Sequence, residues 1–594
     1  MSPADRRLDR RVFLKRMSAL TAAASAGVAA GITPSSLGAA GVVGGRVAGG
    51  ADVSDTRSIR RRPSRLGADS VARALPDPGA VQATEPAELT VAESAALIRA
   101  GRLDPVTLVR AYLDRIEAHD PALLAFNTVT VEAALAEAAR LSREAWSGPL
   151  HGVPLAMKDN YYTAGVPTTA NSLVFADFVP DFDATAWARL RDGGGVLLGK
   201  TQMGPLATTA ASTPEGERTT FNAWAPGDRD VSPGGSSSGS ATAVAARLVA
   251  GATGTQTGGS ITNPSGAQGL TGLKPTMGRV SLHGIIPLTY TRDHPGPICR
   301  DALDAALLLR AMAGPDPEDP RTLGLPDVPD YVRAATPVER GDRPALRWET
   351  TVGVPPGYLD APEDEPGGDE PRGPPGEASE ARERRARRRR ERQRAEVDAR
   401  RVMLDRFRDL GARVVEIEYP AEWETLTSWN FNNVRLPERT EPFLEYLRRD
   451  VRLFGVSLSP WINGLLLPGA EYLRGQRAKL ALLRTVLDDV FARCDVVLQT
   501  SPIPFDMVGL PLIAFPNGMV DGRPTGALLG GHPYAEDRLL SVAAAYQSVT
   551  GWHRERPADP EGGEGASRDG PDRGSRSPRS RERIDVWDVM RDGQ

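Results

Sequence analysis

The chain has 594 residues, 40% of them hydrophobic and 25% charged, with a formal net charge of −4. That is ample apolar sequence for a large buried core, and the faintly acidic balance supplies no overall electrostatic reason to bind nucleic acid. Two cysteines, Cys299 and Cys494, and six scattered histidines show no metal-ligand spacing, so neither a disulfide framework nor a metal or other cofactor is expected.

The N-terminus reads Asp9-Arg10-Arg11-Val12-Phe13-Leu14-Lys15, followed by a weakly apolar, alanine-rich run from Met17 to Ile32. A charged start, a modest apolar stretch and small residues after it read as an export signal, assigned to residues 1–40 with cleavage near Ala39 or Ala40. The paired arginines before Phe-Leu-Lys resemble the twin-arginine signal, which carries folded proteins. The run is too short and too weakly apolar for a good spanning helix, so no stable membrane insertion is expected. Residues 41–87, rich in Gly, Arg, Pro and Asp, read as a flexible linker.

The main domain is read over residues 88–557. From Glu88 to Trp146 the apolar period is helical. From His151 to Ala313 short apolar runs such as Val196-Leu197-Leu198-Gly199 alternate with helical ones such as Ala241 to Val249, which reads as α/β. Val352-Gly353-Val354-Pro355 predicts another strand. Residues 360–394 then read as a disordered charged insertion, acidic at first and arginine-rich from Arg382, where a helix could extend into Val402–Phe407. The arginine run is read as solvated or self-neutralising in preference to a site for RNA or anionic lipid. Ala421 to Val490 is helical in pattern and is expected to hold much of the substrate pocket. There Trp423, Trp429, Phe431 and Trp461 are candidates for an acyl pocket, though aromatics at such spacing read in the first place as ordinary core packing. Residues 558–594 read as a disordered tail.

Three short segments carry chemistry. Lys158 ends the apolar run Val153-Pro154-Leu155-Ala156-Met157. A first serine turn reads Ser232-Pro233-Gly234-Gly235-Ser236-Ser237-Ser238-Gly239-Ser240, and a second reads Gly254-Thr255-Gln256-Thr257-Gly258-Gly259-Ser260-Ile261. A serine hydroxyl needs a base within hydrogen-bond reach. Lysine serves as that base only when neutral, and burial among apolar groups favours the neutral amine. A second serine relays a proton, because a hydroxyl both donates and accepts. A glycine-rich turn aims backbone N–H groups at one point, the requirement for an oxyanion hole. Each segment alone reads first as a solvated turn or linker; the three together do not.

In this order the segments resemble the amidase signature family of serine hydrolases. The resemblance runs from Glu88 to Pro557 and includes Gly272-Leu273-Lys274-Pro275-Thr276-Met277-Gly278-Arg279-Val280-Ser281, Gly509-Leu510-Pro511 and Pro516-Asn517-Gly518. It implies one large twisted mixed β-sheet surrounded by helices and hydrolysis of a small-molecule carboxylic amide to a carboxylate and ammonia or an amine. An accompanying esterase activity and a homodimer stay open. It further implies Ser260 as nucleophile, Ser236 as bridging serine after a cis peptide bond, and Lys158 as general base and then acid. Ser237 would support the site, and Thr257, Gly258 and Gly259 would form the oxyanion hole. The sequence departs from the family where Gln256 and Thr262 stand in place of a common aspartate and arginine. Loss of both halves of a charge pair together strands no charge, which reads as a site supported in another way.

Three other readings are distinguishable. Gly235-Ser236-Ser237-Ser238-Gly239 matches the nucleophile elbow, with Ser237 attacking and His532 or His553 as base, but the elbow needs a strand before it. The amidase subunit of a tRNA-dependent amidotransferase shares the same motifs and requires cytoplasmic partner subunits. A non-catalytic exported binding protein on the same scaffold would retain binding after Ser260→Ala.

Overall fold

The computed structural model describes residues 74–361, 379–428 and 430–560. The expected signal segment, linker residues 41–73, insertion residues 362–378, Trp429 and tail residues 561–594 lie outside the described residues.

The strands are β1 (Phe126–Val129), β2 (Pro154–Lys158), β3 (Val196–Thr201), β4 (Gly251–Gln256), β5 (Thr271–Lys274), β6 (His294–Cys299), β7 (Val338–Glu339), β8 (Pro344–Ala345), β9 (Thr351–Val354), β10 (Arg413–Glu416), β11 (Val496–Leu498), β12 (Leu512–Val520) and β13 (Arg523–Gly531). All but the β7–β8 hairpin join one 11-stranded sheet in the order β1-β3-β2-β4-β6-β5-β12-β13-β11-β9-β10. The sheet is mixed: β2 lies parallel to β3 and β4, whereas β4, β6, β5 and β12 succeed one another antiparallel. Every residue of β2, β4, β5 and β6 is buried, as expected where helices cover both faces.

The helices that frame the site are α1 (Val91–Arg99), α2 (Pro105–Leu123), α3 (Ser238–Ala245), α4 (Thr262–Gln268), α5 (Ala302–Met312), α6 (Ser379–Asp409), α7 (Asn430–Thr440), α8 (Leu458–Leu466), α9 (Gly469–Thr485), α10 (Ile503–Val508) and α11 (Glu536–Ser548). Their ends follow from local sequence. Thr90 and Glu93 form a reciprocal capping box at α1, and Asp104 caps α2 with Pro105 in its first turn. The next free N–H groups of α1, on Val91 and Ala92, donate to the buried Asp304 carboxylate of α5 (3.0 and 2.9 Å).

The domain begins earlier than the sequence reading placed it. Ala74, Leu75, Val81 and Ala83 pack on the main core. The buried Arg300 guanidinium donates to Ala87 O (3.0 Å) and Glu88 O (2.7 Å). A buried guanidinium needs acceptors, and this segment supplies them. The charged insertion is likewise helical from Ser379, not disordered to residue 394. Arg387–Glu391 (2.8 Å) and Arg392–Glu396 (3.0 Å) pair across single turns of α6. Arg392 also donates to Val520 O (2.8 Å) and Pro524 O (3.1 Å), docking the helix on the β12–β13 turn. At the C-terminal end, Asp559 pairs with Arg115 and Arg556, so the ordered chain runs slightly past residue 557.

Candidate active site

Lys158 closes β2, and its side chain is fully buried. Nζ lies 2.8 Å from Ser236 Oγ, 2.8 Å from Thr255 Oγ1 and 3.3 Å from Thr255 O. Burial pulls the ammonium pKa down to about 7, opposed by the carboxylate of Asp293. A neutral amine has two N–H groups and one lone pair. The two Thr255 oxygens take the N–H groups, which leaves the lone pair for the Ser236 hydroxyl proton.

Ser236 follows a cis peptide bond from Gly235. A Cβ at Gly235 would fall 2.6 Å from the Cα of Ala210, so the approach of these two backbones requires glycine. Ser237 N (3.3 Å) and Ser237 Oγ (2.6 Å) both donate to the carbonyl of Ser260. Ser237 is thus engaged with Ser260 and buried, and no strand precedes it, which removes the elbow reading. His532 stacks on Phe491 at 4.0 Å. His151 bonds Leu141 O and Ser147 Oγ, both at 3.0 Å, and is accounted for structurally.

Ser260 stands between β4 and α4, 8% exposed. In the preceding turn, Gly259 has φ +90°, a conformation open to glycine. The three positions assigned to an oxyanion hole differ. Thr257 donates its hydroxyl to Asp293, and its carbonyl accepts from Arg292 Nη2 (2.7 Å). A Cβ on Gly258 would meet the ring of Phe431 at 3.0 Å, so that ring faces the turn. Gly259 N donates to Asp506 Oδ2 at 2.7 Å. Its N–H is therefore committed to a carboxylate, which corrects the expectation that it would face an oxyanion.

Asp506, on α10 and fully buried, explains the altered positions. Its carboxylate accepts from Gln256 Nε2 (2.8 and 3.1 Å) and faces Lys274 Nζ at 3.6 Å. Gln256 Oε1 in turn accepts from Ile261 N (2.8 Å), Thr262 N (2.9 Å) and Thr262 Oγ1 (3.2 Å). The amide side chain, with both donors and an acceptor, links a carboxylate on one side to the first N–H groups of α4 on the other. The negative charge sits on Asp506, and its countercharge is Lys274. The sequence reading missed Thr255, Asp293 and Asp506. Thr255 was within reach, since alternation along β4 puts it on the same face as Thr253.

Of the aromatic candidates, Phe431 reaches the site. Trp461 packs against Phe443 (5.3 Å) and Phe454 (5.1 Å), and Trp423 stacks on Tyr419 at 3.9 Å. A cavity of about 400 Å³ opens beside α4, lined by Thr262, Asn263, Arg392, Arg400 and Gln499 among others; Lys158, Ser236 and Ser260 do not line it.

Comparison with known proteins agrees with this geometry. The family model described as Amidase matches residues 107–356. The chain is 33% identical over 526 residues to a glutamyl-tRNA(Gln) amidotransferase subunit of Chloroflexus aurantiacus, covering 80% of this chain and 99% of that protein. The chain belongs to the amidase signature family and is an amidase, an enzyme of amide hydrolysis. Among solved structures, native peptide amidase from Stenotrophomonas maltophilia is 30% identical with a TM-score of 0.62, covering 80% of this chain and 99% of that one. A peptide amidase bound to the competitive inhibitor chymostatin is also 30% identical, with a TM-score of 0.64, covering 79% of this chain and 99% of that one. A glutamyl-tRNA(Gln) amidotransferase subunit of Thermotoga maritima shares the fold at 22% identity and a TM-score of 0.61, covering 80% of this chain and 98% of that one.

Proposed function

We propose that the chain hydrolyses its amide through an acyl-enzyme on Ser260. The observation that carries this is the fully buried Lys158 amine, 2.8 Å from Ser236 Oγ. Lys158 takes the Ser236 proton as Ser236 takes that of Ser260, and Ser260 Oγ bonds to the carbonyl carbon. As the tetrahedral intermediate collapses, the C–N bond breaks and the relay returns the proton to the leaving nitrogen. Water, deprotonated by the same relay, attacks the ester carbonyl and frees the carboxylate and Ser260. The oxyanion falls to N–H groups of the turn other than that of Gly259.

A fluorophosphonate probe followed by mass spectrometry tests this. Stoichiometric labelling of Ser260, lost in Lys158→Ala, is expected. Labelling elsewhere, or none in folded protein, overturns it and favours a binding protein on this scaffold.

The 33% identity to an amidotransferase component favours a second reading, in which the chain delivers ammonia within a complex. It requires partner subunits, and co-purification from the native host separates it from a stand-alone amidase. We also infer export, from Arg10-Arg11 and the alanine-rich run behind them. A reporter fused after residue 40 should leave the cytoplasm, and Arg10→Lys with Arg11→Lys should retain it there.

A further inference from the structure

Helix α7 runs away from the nucleophile with one charged stripe. Phe431, Arg435 and Arg439 are spaced i, i+4, i+8 and so share a face. Phe431 stands against Gly258. Its ring lies between two guanidiniums, Arg292 at 3.9 Å and Arg435 at 4.8 Å from the centroid. Arg439, only 2% exposed, lies 4.3 Å over the Trp461 ring. Trp461 also lines a small cleft with Leu206 and Thr208. The following residues, Thr209 and Ala210, pack on Gly235 beside Ser236.

Two of these three cations are under-paired. Arg292 is balanced by Asp506, Glu438 and Asp293. Among the described residues neither Arg435 nor Arg439 forms an ion pair with a carboxylate; burial lowers the pKa of both guanidiniums, and repulsion from Arg435 adds to the lowering at Arg439. Arg439 Nε and Nη2 and Arg435 Nε are buried with no hydrogen-bond partner among the described residues. Arg435 Nη2 donates to Asn432 Oδ1 (3.1 Å), a neutral acceptor. A buried guanidinium costs several kcal/mol unless an anion and acceptors meet it, and its planar fork matches a carboxylate.

We propose that the amide substrate carries a carboxylate, held by Arg435 and Arg439, at the end of the acyl chain remote from the scissile bond. The proposal rests on the hydrolase reading for the position of the amide. Helical rise sets the Cα atoms of Arg435 and Arg439 roughly 6 and 12 Å along α7 from that of Phe431, and the Arg435 guanidinium itself folds back to 4.8 Å from the ring that faces the nucleophile turn. The substrate class is thus the monoamide of a dicarboxylic acid, or a longer amide with an acidic side chain at that distance.

Adipamate and hexanamide differ only in that the first bears a carboxylate where the second bears a methyl. The wild type should prefer adipamate by tenfold or more in kcat/KM. Arg439→Met and Arg435→Met should remove that preference, mainly through KM, with Arg439→Lys restoring part of it. Equal rates on the two amides, or variants that lose both equally, overturn the proposal. A second measurement does not need turnover. Calorimetric titration of Ser260→Ala protein with adipamate should give binding that is lost when Arg439→Met is added. Absence of binding in a folded Ser260→Ala protein overturns the proposal. Failure of Ser260 labelling with adipamate binding intact would instead overturn the catalytic reading and leave this one standing.

Discussion

Lys158 acts as a base only without its proton, and its surroundings set that state. With a pKa near 7, kcat/KM should climb with unit slope below pH 7 and level above it, as a pH–rate profile would record. The same burial has a stability cost of opposite timing. Between about 7 and the ordinary 10.5 the unfolded chain binds this proton and the folded chain does not, so stability rises with pH across that window. Lys158→Met, which removes the titration, should therefore exceed the wild type in urea resistance by most at pH 7 and by little near pH 10. Asp506→Asn places a donor among the donors of Gln256, Gly259 and Lys274. It should cost about 3 kcal/mol in denaturant unfolding and lower kcat at least tenfold. The lysine and the two serine turns were legible because each is a local motif whose residues are consecutive. Asp506 was not legible, because its partner Gln256 is 250 residues away and the intervening chain gives no period or spacing that pairs them.

At the level of elements, composition misled where long-range contacts override it. The arginine run from 382 to 394 reads as a solvated tract, yet Arg392 finds two carbonyls on the β12–β13 turn, and Arg387 and Arg392 each pair with a glutamate one turn away. The contributions should separate in denaturant melts. Arg392→Ala should cost about 1 kcal/mol, through lost docking. Arg387→Ala, with its partner Glu391 in water, should leave the denaturation midpoint unchanged. Strands such as β2 and β3 were readable as short apolar runs, whereas β4, with the sequence Gly-Ala-Thr-Gly-Thr-Gln, was not, and its last three residues read as turn. The helices from 421 to 490 were readable as helices, but which of their aromatic faces meets the nucleophile turn depends on packing that periodicity does not encode.

For the whole molecule, the α/β alternation and the family's motif order predicted the mixed sheet, and the domain boundary was the part that sequence misplaced. Residues 74–87 look like linker because what holds them is distant in sequence: the main core, on which Ala74, Leu75, Val81 and Ala83 pack, and Arg300, which donates to Ala87 O from more than 200 residues on. A chain starting at Ala74 should melt within a degree or two of the full-length protein. One starting at Val91 loses the Arg300 acceptors and the Thr90 cap and should melt several degrees lower by calorimetry. The tie between Gln256 and Asp506 has a temporal consequence. Ser260, the last of the three reacting groups, leaves the ribosome about 250 residues before the carboxylate that anchors the nucleophile turn. At ordinary elongation rates that is an interval of about 10–50 s, during which the growing polypeptide holds every reacting group and no finished turn to present them. The enzyme is switched on by the end of its own synthesis.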